Sequence, residues 1–453
     1  MNAATKFLEQ LRNAKVAVVG LGLSGWSTVR YLTNHGVIPD VFDSREQPPI
    51  SEQQRQALAE LSCQFGAFTD DAFVGYDYVI VSPGISLMIP ALAKARAQND
   101  NVFCDVELFA RVNQKPVLAV TGSNGKSTVV AWLEDFLNRC QLKTVACGNY
   151  GVPVLDVVDE DYDVYVLELS SFQLESVSSL QCAAATVLNV TEDHMDRYHS
   201  FEDYSRAKNN IYTHAEMCLY NQNDFESKPL LSHENVESFG YIGECHEGTC
   251  WQFDPQNQYL YKNGHAIADL DLSKMTGAHN GLNALAVLAL SNVLDFDLHA
   301  NIEHLYAFSG LPHRCKLIAE HRGVQFIDDS KATNIASTQA AIVGLGLNDN
   351  IVLIAGGDAK GADISELAES LAGKVKSIVA LGQDKEQFLS LLPAGKVLLA
   401  TSMTEAVSIT QSLAKSGDMV LLSPACASID MFSNFMERGQ HFADAVAEVY
   451  GSE

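Results

Sequence analysis

The chain of 453 residues has no run of about 18 apolar residues, which excludes a membrane-spanning helix as its organising element. Its start, Met1-Asn2-Ala3-Ala4-Thr5-Lys6, lacks the basic-then-apolar pattern of a secretory signal, so a cytoplasmic protein is expected. Paired cysteine spacing is also missing. The ten cysteines are scattered, which suits reduced thiols rather than a disulfide framework. The one close group, Cys245-His246-x-x-x-Cys250, reads as a surface loop, with a metal pair as the alternative although no second pair lies nearby. Basic residues are scarce: 30 Lys and Arg against 56 Asp and Glu leave a net charge of −26. That balance argues against nucleic acid or an anionic membrane as the main partner. It leaves small anionic ligands open, because these respond to local cations and backbone amides.

What is present is globular. Hydrophobic residues make up 47% and charged residues 19%, a composition able to build packed cores. Length alone suggests roughly two to four domains. The most informative stretch runs from Val117 to Thr128. Its apolar start reads as a buried strand, Thr121-Gly122-Ser123-Asn124-Gly125 as a tight loop, and Lys126-Ser127-Thr128 as the opening of a helix. Strand, glycine loop, lysine and hydroxyl together form a phosphate cradle. Backbone N–H groups face the anion, Lys126 reaches the outer phosphates, and Ser127 or Thr128 can ligate Mg²⁺. Val120 stands where the usual phosphate-loop pattern has its first glycine.

Upstream, Val16–Val19 and the glycines Gly20, Gly22 and Gly25 give a strand followed by G-x-G-x-x-G, then a helix over 24–35. Asp43 ends the next expected strand, 23 residues beyond Gly20. This is the layout of a dinucleotide-binding βαβ unit, with Asp43 placed for a ribose hydroxyl. The same glycines serve any diphosphate seated on a helix N-terminus. A further strand, Tyr78–Val81, precedes a loop containing Gly84.

Between about 105 and 310, strands and helices alternate, which predicts a doubly wound parallel sheet around the phosphate loop. A strand ending at Glu168 would supply a carboxylate beside that loop, suited to Mg²⁺, or alternatively to capping the next helix. His194 lies in a loop at a strand's end among ionisable neighbours, and Ser205-Arg206-Ala207-Lys208 lies on an expected helix. Asn280 and Asn283, three apart, share one helical face and could read an adenine edge or a phosphate, with helix capping as the alternative.

Four stretches carry a family resemblance: Thr121–Thr128; Glu168-Leu169-Ser170-Ser171-Phe172-Gln173; Asn189 with Asp193-His194-x-Asp196-Arg197; and His279-Asn280-x-x-Asn283. Together the chain resembles the Mur ligases of peptidoglycan synthesis, ATP-dependent amide-forming enzymes related to folylpolyglutamate synthase. The family's shorter loop, G-[ST]-N-G-K-[ST], accounts for Val120. The last third adds three strands with polar loops at their carboxyl ends: Asp329-Ser330-Lys331-Ala332-Thr333-Asn334, Gly356-Gly357-Asp358-Ala359-Lys360, and Leu422–Ser428 leading to Phe435 and Arg438. These resemble the branch that adds D-glutamate to UDP-N-acetylmuramoyl-L-alanine. The Asn-Pro-Arg motif expected of the diaminopimelate branch is absent.

The resemblance implies three α/β domains: a Rossmann-like UDP-sugar-binding domain (1–104), a central P-loop ATPase-type parallel sheet (105–310), and a Rossmann-like amino-acid-binding domain (311–453). It implies ATP on Gly122, Asn124, Gly125, Lys126, Ser127, Thr128, Asn280, Asn283, Arg314 and Asp329. Leu23, Ser24, Ser44, Arg45, Gly84, Asn149, Gln173 and His194 would then meet the UDP-sugar, and Thr333, Lys360, Ser428 and Phe435 the D-glutamate. Two Mg²⁺ ions would be held by Ser127, Glu168, His194 and a carbamylated Lys208, with Lys126, His194, Lys208 and Glu168 serving catalysis. A monomer is expected. The alternatives are a related ligase adding another amino acid and, more remotely, a non-catalytic nucleotide-binding protein.

Overall fold

The structure is a computed structural model that describes residues 3–193, 195, 197–243, 250–275 and 277–451. His194, His246 and Cys245 therefore lie outside the described residues. Its strands form three sheets, each built mainly from short apolar runs whose flanking turns carry the glycines and polar residues.

The first sheet contains β1 (Val16–Val19), β2 (Asp40–Asp43), β3 (Cys63–Phe65), β4 (Tyr78–Val81) and β5 (Val102–Cys104), in the order β3-β2-β1-β4-β5 and parallel throughout. Helices α1 (Ala3–Arg12), α2 (Leu23–Asn34), α3 (Glu52–Leu58), α4 (Pro90–Arg96) and α5 (Asp105–Val112) accompany it. Chain order reverses between β1 and β4, so a crevice opens at their carboxyl ends. The turn from β1 into α2 requires Gly25, because a Cβ there would stand 1.7 Å from the Gly20 carbonyl oxygen. That close approach makes the tight turn legible in the sequence as G-x-G-x-x-G.

The second sheet holds nine strands in the order β14-β13-β12-β11-β10-β9-β6-β8-β7. They are β6 (Val117–Thr121), β7 (Thr144–Gly148), β8 (Val164–Glu168), β9 (Ala184–Val187), β10 (Cys218–Asn221), β11 (Val236–Tyr241), β12 (Cys250–Asp254), β13 (Tyr259–Lys262) and β14 (His265–Asp269). From β7 across to β12 every pairing is parallel; β13 turns antiparallel. All five residues of β6 are buried, as a central strand covered on both faces must be. Helix α6 (Lys126–Arg139) packs its buried Val129, Val130, Trp132, Leu133, Phe136 and Leu137 as the apolar spacing predicts. Helices α7 (Ser171–Leu174), α8 (Phe201–Asn209) and α9 (Ala278–Ser291) follow. The chain leaves β6 for β7 on one side and reaches β9 on the other, so β6 is the switch point.

The third sheet runs β15-β16-β20-β17-β18-β19, from β15 (Lys316–His321), β16 (Val324–Asp328), β17 (Ile351–Ala355), β18 (Val375–Ala380), β19 (Val397–Leu399) and β20 (Met419–Leu422). Only β15 is antiparallel. Because β20 inserts between β16 and β17, the loops that leave these three strands lie side by side.

The chain divides into two compact units: 1–190 with 202–268 and 282–305, and 191–201 with 269–281 and 306–453. The first contains both nucleotide-type switch points, the second the third sheet. Within the first unit, Asp156 accepts from Ser27 Oγ and pairs with Arg30 Nη2 at 2.6 Å, tying α2 to the segment that follows β7. Eight of the described cysteines are free thiols, as expected of a reduced chain, but Cys250 is disulfide-bonded.

Candidate active site

The phosphate loop is held from both sides. Ser123 N–H donates to Asn189 O (2.9 Å), Asn124 N–H to Asn189 Oδ1 (2.8 Å), and Asn189 Nδ2 to Asn124 O (3.0 Å). One asparagine at the end of β9 thus fixes the loop after β6. Gly125 caps α6 at φ 85° with no side-chain cap, leaving the first-turn N–H groups to an anion. A Cβ on Gly125 would stand 3.0 Å from Asn283 Oδ1, so the Asn283 side chain lies directly against the loop.

Both predicted lysines converge on this loop. Lys126 Nζ donates to the carbonyls of Gly122 (2.7 Å) and Ser123 (2.9 Å), and Lys208 Nζ to Gly122 O (2.9 Å). Lys208 is 2% exposed and also stands 4.4 Å over the Tyr204 ring, whose hydroxyl meets Ser123 Oγ at 3.0 Å. Tyr204 carries no motif signature; its place is legible only as one helical turn before Lys208.

Glu168 ends β8 beside β6, as predicted. Its Oε1 accepts from Asn149 Nδ2 at 2.6 Å, while Oε2 is buried and has no hydrogen-bond partner. A buried carboxylate oxygen without a donor is costly unless a cation or ligand meets it. The donor set Ser127, Glu168 and the loop carbonyls is oxygen-rich, which fits a hard divalent cation. Gln173, predicted at the sugar, spends Oε1 on the Ser170 N–H (2.9 Å) in a capping box at the start of α7. Its amide nitrogen is the end left for a ligand.

In the first sheet, α2 is capped by Gly22 with no side-chain acceptor, so its first turn is open to an anion. Asp43 is buried, and its oxygens are occupied: Leu21 N–H and Arg45 Nη2 reach Oδ2 (both 2.7 Å), and Arg45 Nε reaches Oδ1 (2.8 Å). Burial would raise its pKa, but the Arg45 and Leu21 bonds outweigh that and hold it below the ordinary carboxylate range. Asp43 therefore orders the glycine turn and aims Arg45, in place of the ribose contact its spacing suggests. Leu23, Ser44, Arg45 and Gly84 lie exposed around the crevice, with Leu23 85% exposed.

The second unit gathers the remaining predicted residues. Asp329, just past β16, accepts from Ser423 Oγ (2.7 Å) and Cys315 N–H (3.2 Å). Burial pushes its carboxyl up to about 6, partly offset by Ser423, Cys315 and the Arg314 charge. Arg314 also acts on His279, whose pKa is lowered by burial first and by that charge second. The loops after β17 and β20 are locked by Asp358 N–H to Ala427 O (3.1 Å) and Ala427 N–H to Asp358 O (2.8 Å). This sets Lys360, at φ 51°, and buried Ser428 on one edge. Thr333 follows β16, and Phe435 opens the last helix, its carbonyl accepting from Ser330 Oγ (2.8 Å). Arg438, read in the sequence only as a downstream residue, is fully buried. Its guanidinium bonds Ser330 Oγ, Ser330 O and Cys426 O, bracing the loops that carry Thr333 and Ser428. Asn280 belongs to this unit and Asn283 to the first.

Three α/β sheets, the central one carrying a phosphate loop at its switch point, define a nucleotide-using enzyme of modular build. Family models match almost end to end: the MurD-like N-terminal domain of Mur ligases over residues 14–104, the Mur ligase middle domain over 120–291, and the Mur ligase glutamate ligase domain over 313–426. The chain belongs to the Mur ligase family. It is 41% identical to the UDP-N-acetylmuramoylalanine–D-glutamate ligase of Pseudoalteromonas translucida, covering 97% of this chain and 99% of that one. The Escherichia coli K12 protein of the same name is 40% identical, over 96% and 98%. Among solved structures, MurF from Acinetobacter baumannii superposes with TM-score 0.62 at 19% identity, covering 99% of this chain and 98% of that one. MurC from Thermotoga maritima gives 0.59 at 20%, over 96% and 99%. These two likenesses concern the fold alone.

Proposed function

We propose that the protein is a cytoplasmic ATP-dependent ligase that joins D-glutamate to UDP-N-acetylmuramoyl-L-alanine in peptidoglycan precursor synthesis. The observation that carries the reading is the convergence of Lys126, Lys208 and the unpartnered Glu168 Oε2 on one sheet edge. It stands in a chain about 40% identical, nearly end to end, to ligases named for that reaction.

The chemistry follows from leaving groups. A carboxylate oxygen leaves poorly and phosphate well, so the alanine carboxylate first attacks the γ-phosphorus of ATP, the bond to the β–γ bridging oxygen breaks and ADP leaves, giving an acyl phosphate. The acyl phosphate then receives the D-glutamate amine, and phosphate departs from the tetrahedral adduct. The α6 N-terminus and Lys126 cradle the phosphates and offset charge as the γ-phosphoryl transfers. Asn280, Asn283, Arg314 and Asp329 hold the nucleotide. Leu23, Ser24, Ser44, Arg45, Gly84, Asn149, Gln173 and His194 hold the sugar nucleotide; Lys360, Thr333 and Ser428 hold the amino-acid carboxylates against Phe435. Mg²⁺ would sit on Ser127, Glu168, His194 and Lys208, and would screen the phosphate charge when bound. Lys208 serves that set as a carbamate, which exchanges a donor for oxygen ligands; a carbon-13 carbamate signal under labelled bicarbonate tests it. Domain limits near 104 and 310 separate the three roles.

The test is isotopic. With ¹⁸O in the alanine carboxylate, one labelled oxygen should appear in the released phosphate. Unlabelled phosphate alongside amide product would rule out the acyl-phosphate route.

A further inference from the structure

Asp329 leaves β16 at the carboxyl edge of the third sheet. Ser423 leaves β20 beside it, because Asp328 and Leu422 are paired in register. Both residues are buried, and the Ser423 hydroxyl donates to Asp329 Oδ2 at 2.7 Å. The same Ser423 oxygen stands 3.1 Å from Oγ1 of Thr338, a fully buried residue of α10 (Ile335–Leu345). Thr338 Oγ1 in turn lies 3.2 Å from the Ser423 carbonyl oxygen. A hydroxyl has one proton to give, so this short chain has two proton arrangements. While Asp329 is ionised, Ser423 gives its proton to the carboxylate and Thr338 turns its own toward Ser423 Oγ. Once Asp329 is protonated, its O–H donates to Ser423 Oγ, Ser423 turns to Thr338, and Thr338 donates to the Ser423 carbonyl.

We propose that Ser423, backed by Thr338, is a positioning residue for the nucleotide: the hydroxyl chain donates into Asp329 and keeps that side chain an acceptor for the hydroxyl and amine donors of ATP. This rests on the nucleotide role proposed above for Asp329. Three considerations support it. A buried charge repays its desolvation poorly as a structural element, so the trio makes better sense as binding equipment. Linked hydrogen bonds polarise one another, so the Thr338 hydroxyl strengthens the donor that Ser423 offers. Burial pushes the Asp329 carboxyl up to about 6, and Ser423 leads the groups that oppose the rise, ahead of the Cys315 N–H and the Arg314 charge.

The other ionisable groups around Asp329 hold their charge state or are engaged elsewhere. The Cys315 thiol is pushed well above its ordinary range, by burial first and by Asp329 next, and burial takes the Cys426 thiol up to about 12. Asp328 pairs with His313 Nδ1 at 2.6 Å and accepts the Ser330 N–H at 2.9 Å. Arg438 bonds Ser330 and the Cys426 carbonyl, and Lys331 stands 4.1 Å over the Phe435 ring. His279, which shares the Arg314 charge, is held below the ordinary histidine range by burial. Lys316, at the start of β15, is exposed, and β17, β20 and α10 contain no ionisable residue.

The experiment is equilibrium binding of ATP with Mg²⁺ to the full chain, measured by calorimetry at pH 6.5 and 8.5 without the other substrates. Each variant is read against wild type at the same pH, so the titration of ATP itself cancels. The ionised Asp329 binds best, so affinity is lost as pH falls through its pKa. Removing a donor to the anion moves that loss up by about one to two pH units. Ser423→Ala should therefore bind within about threefold of wild type at pH 8.5 and about five- to tenfold more weakly at pH 6.5. Thr338→Val keeps the shape without the hydroxyl; it should show the same pH dependence at about half the size. The double variant should match Ser423→Ala, because Thr338 acts through Ser423. Asp329→Asn cannot ionise and should bind about tenfold more weakly than wild type at pH 8.5, with a smaller gap at pH 6.5. Equal weakening at both pH values, by Ser423→Ala or, should that variant not fold, by Thr338→Val, would overturn the inference alone. So would additive losses in the double variant. Wild-type affinity in Asp329→Asn at pH 8.5 would overturn the nucleotide role of Asp329 as well.

Discussion

Two buried carboxylates in the first unit illustrate opposite uses of the same group. Glu168 has one oxygen satisfied by Asn149 and one buried without a hydrogen-bond partner, which in the proposed function a cation would take. Glu168→Gln keeps the shape but halves the acceptor capacity. It should lower phosphate release by about 10² to 10³ while equilibrium nucleotide binding changes little, and chelation of Mg²⁺ should reduce the wild type to the same level. A nucleotide affinity that collapses with the turnover would point to lost folding of the loop. Asp105 instead burdens the fold. Its carboxyl is raised from 3.8 to about 6, so its stabilising, protonated form prevails at low pH and is lost as pH rises through that window. At 1.36 kcal/mol per unit the penalty above pH 6 is about 3 kcal/mol. Asp105→Asn should therefore melt higher than wild type at pH 8, with the difference vanishing near pH 4. A constant difference at both pH values would contradict this.

At the scale of elements, helix starts do most of the positioning. The turn from β1 into α2 admits no side chain at position 25, since a Cβ would meet the Gly20 carbonyl at 1.7 Å. Gly25→Ala should abolish sugar-nucleotide binding, measured by titration, and leave nucleotide binding at the α6 loop in place if the rest folds. Helix α5 is clamped at Glu107, which is fully buried. It accepts the N–H groups of Ser178 (2.7 Å) and Ser179 (3.0 Å) and the Arg111 Nε (2.8 Å). Burial alone would raise its pKa, but these bonds reverse that and depress it, so the stability it contributes is lost as pH falls. Glu107→Ala should cost about 3 kcal/mol in chemical denaturation at pH 7, and less at pH 3. Such elements divide what the sequence tells from what it hides. The strands that lead into the polar and glycine loops, such as β1, β4, β6, β8, β16, β17 and β20, are legible with α6 and both glycine turns, because hydrophobic period and glycine spacing are local. Glu107, Asp105 and Arg438 are not, because their partners stand as far as 108 residues away along the chain. The capping of α7 by Gln173 emerges only from the folded turn, and the occupation of Asp43 by Arg45 and the Leu21 N–H only from the folded glycine loop.

The whole molecule joins three ligand edges built by the same rule, loops at the carboxyl ends of parallel strands where chain order reverses. Each edge carries its own cations or open amides: Arg45 and the α2 start, Lys126 and Lys208, then Lys360. Local charge of this kind lets a chain of net charge −26 handle anionic substrates. In the proposed function, amino-acid choice would be a property of the third sheet and activation a property of the second. The most direct test of that function is phosphate release from ATP in the presence of UDP-N-acetylmuramoyl-L-alanine, with one amino acid added at a time. Release that requires D-glutamate, and does not occur with L-glutamate, L-alanine or diaminopimelate, is the predicted result. Release driven by a different amino acid, or none with any combination from folded protein that binds ATP, would contradict it.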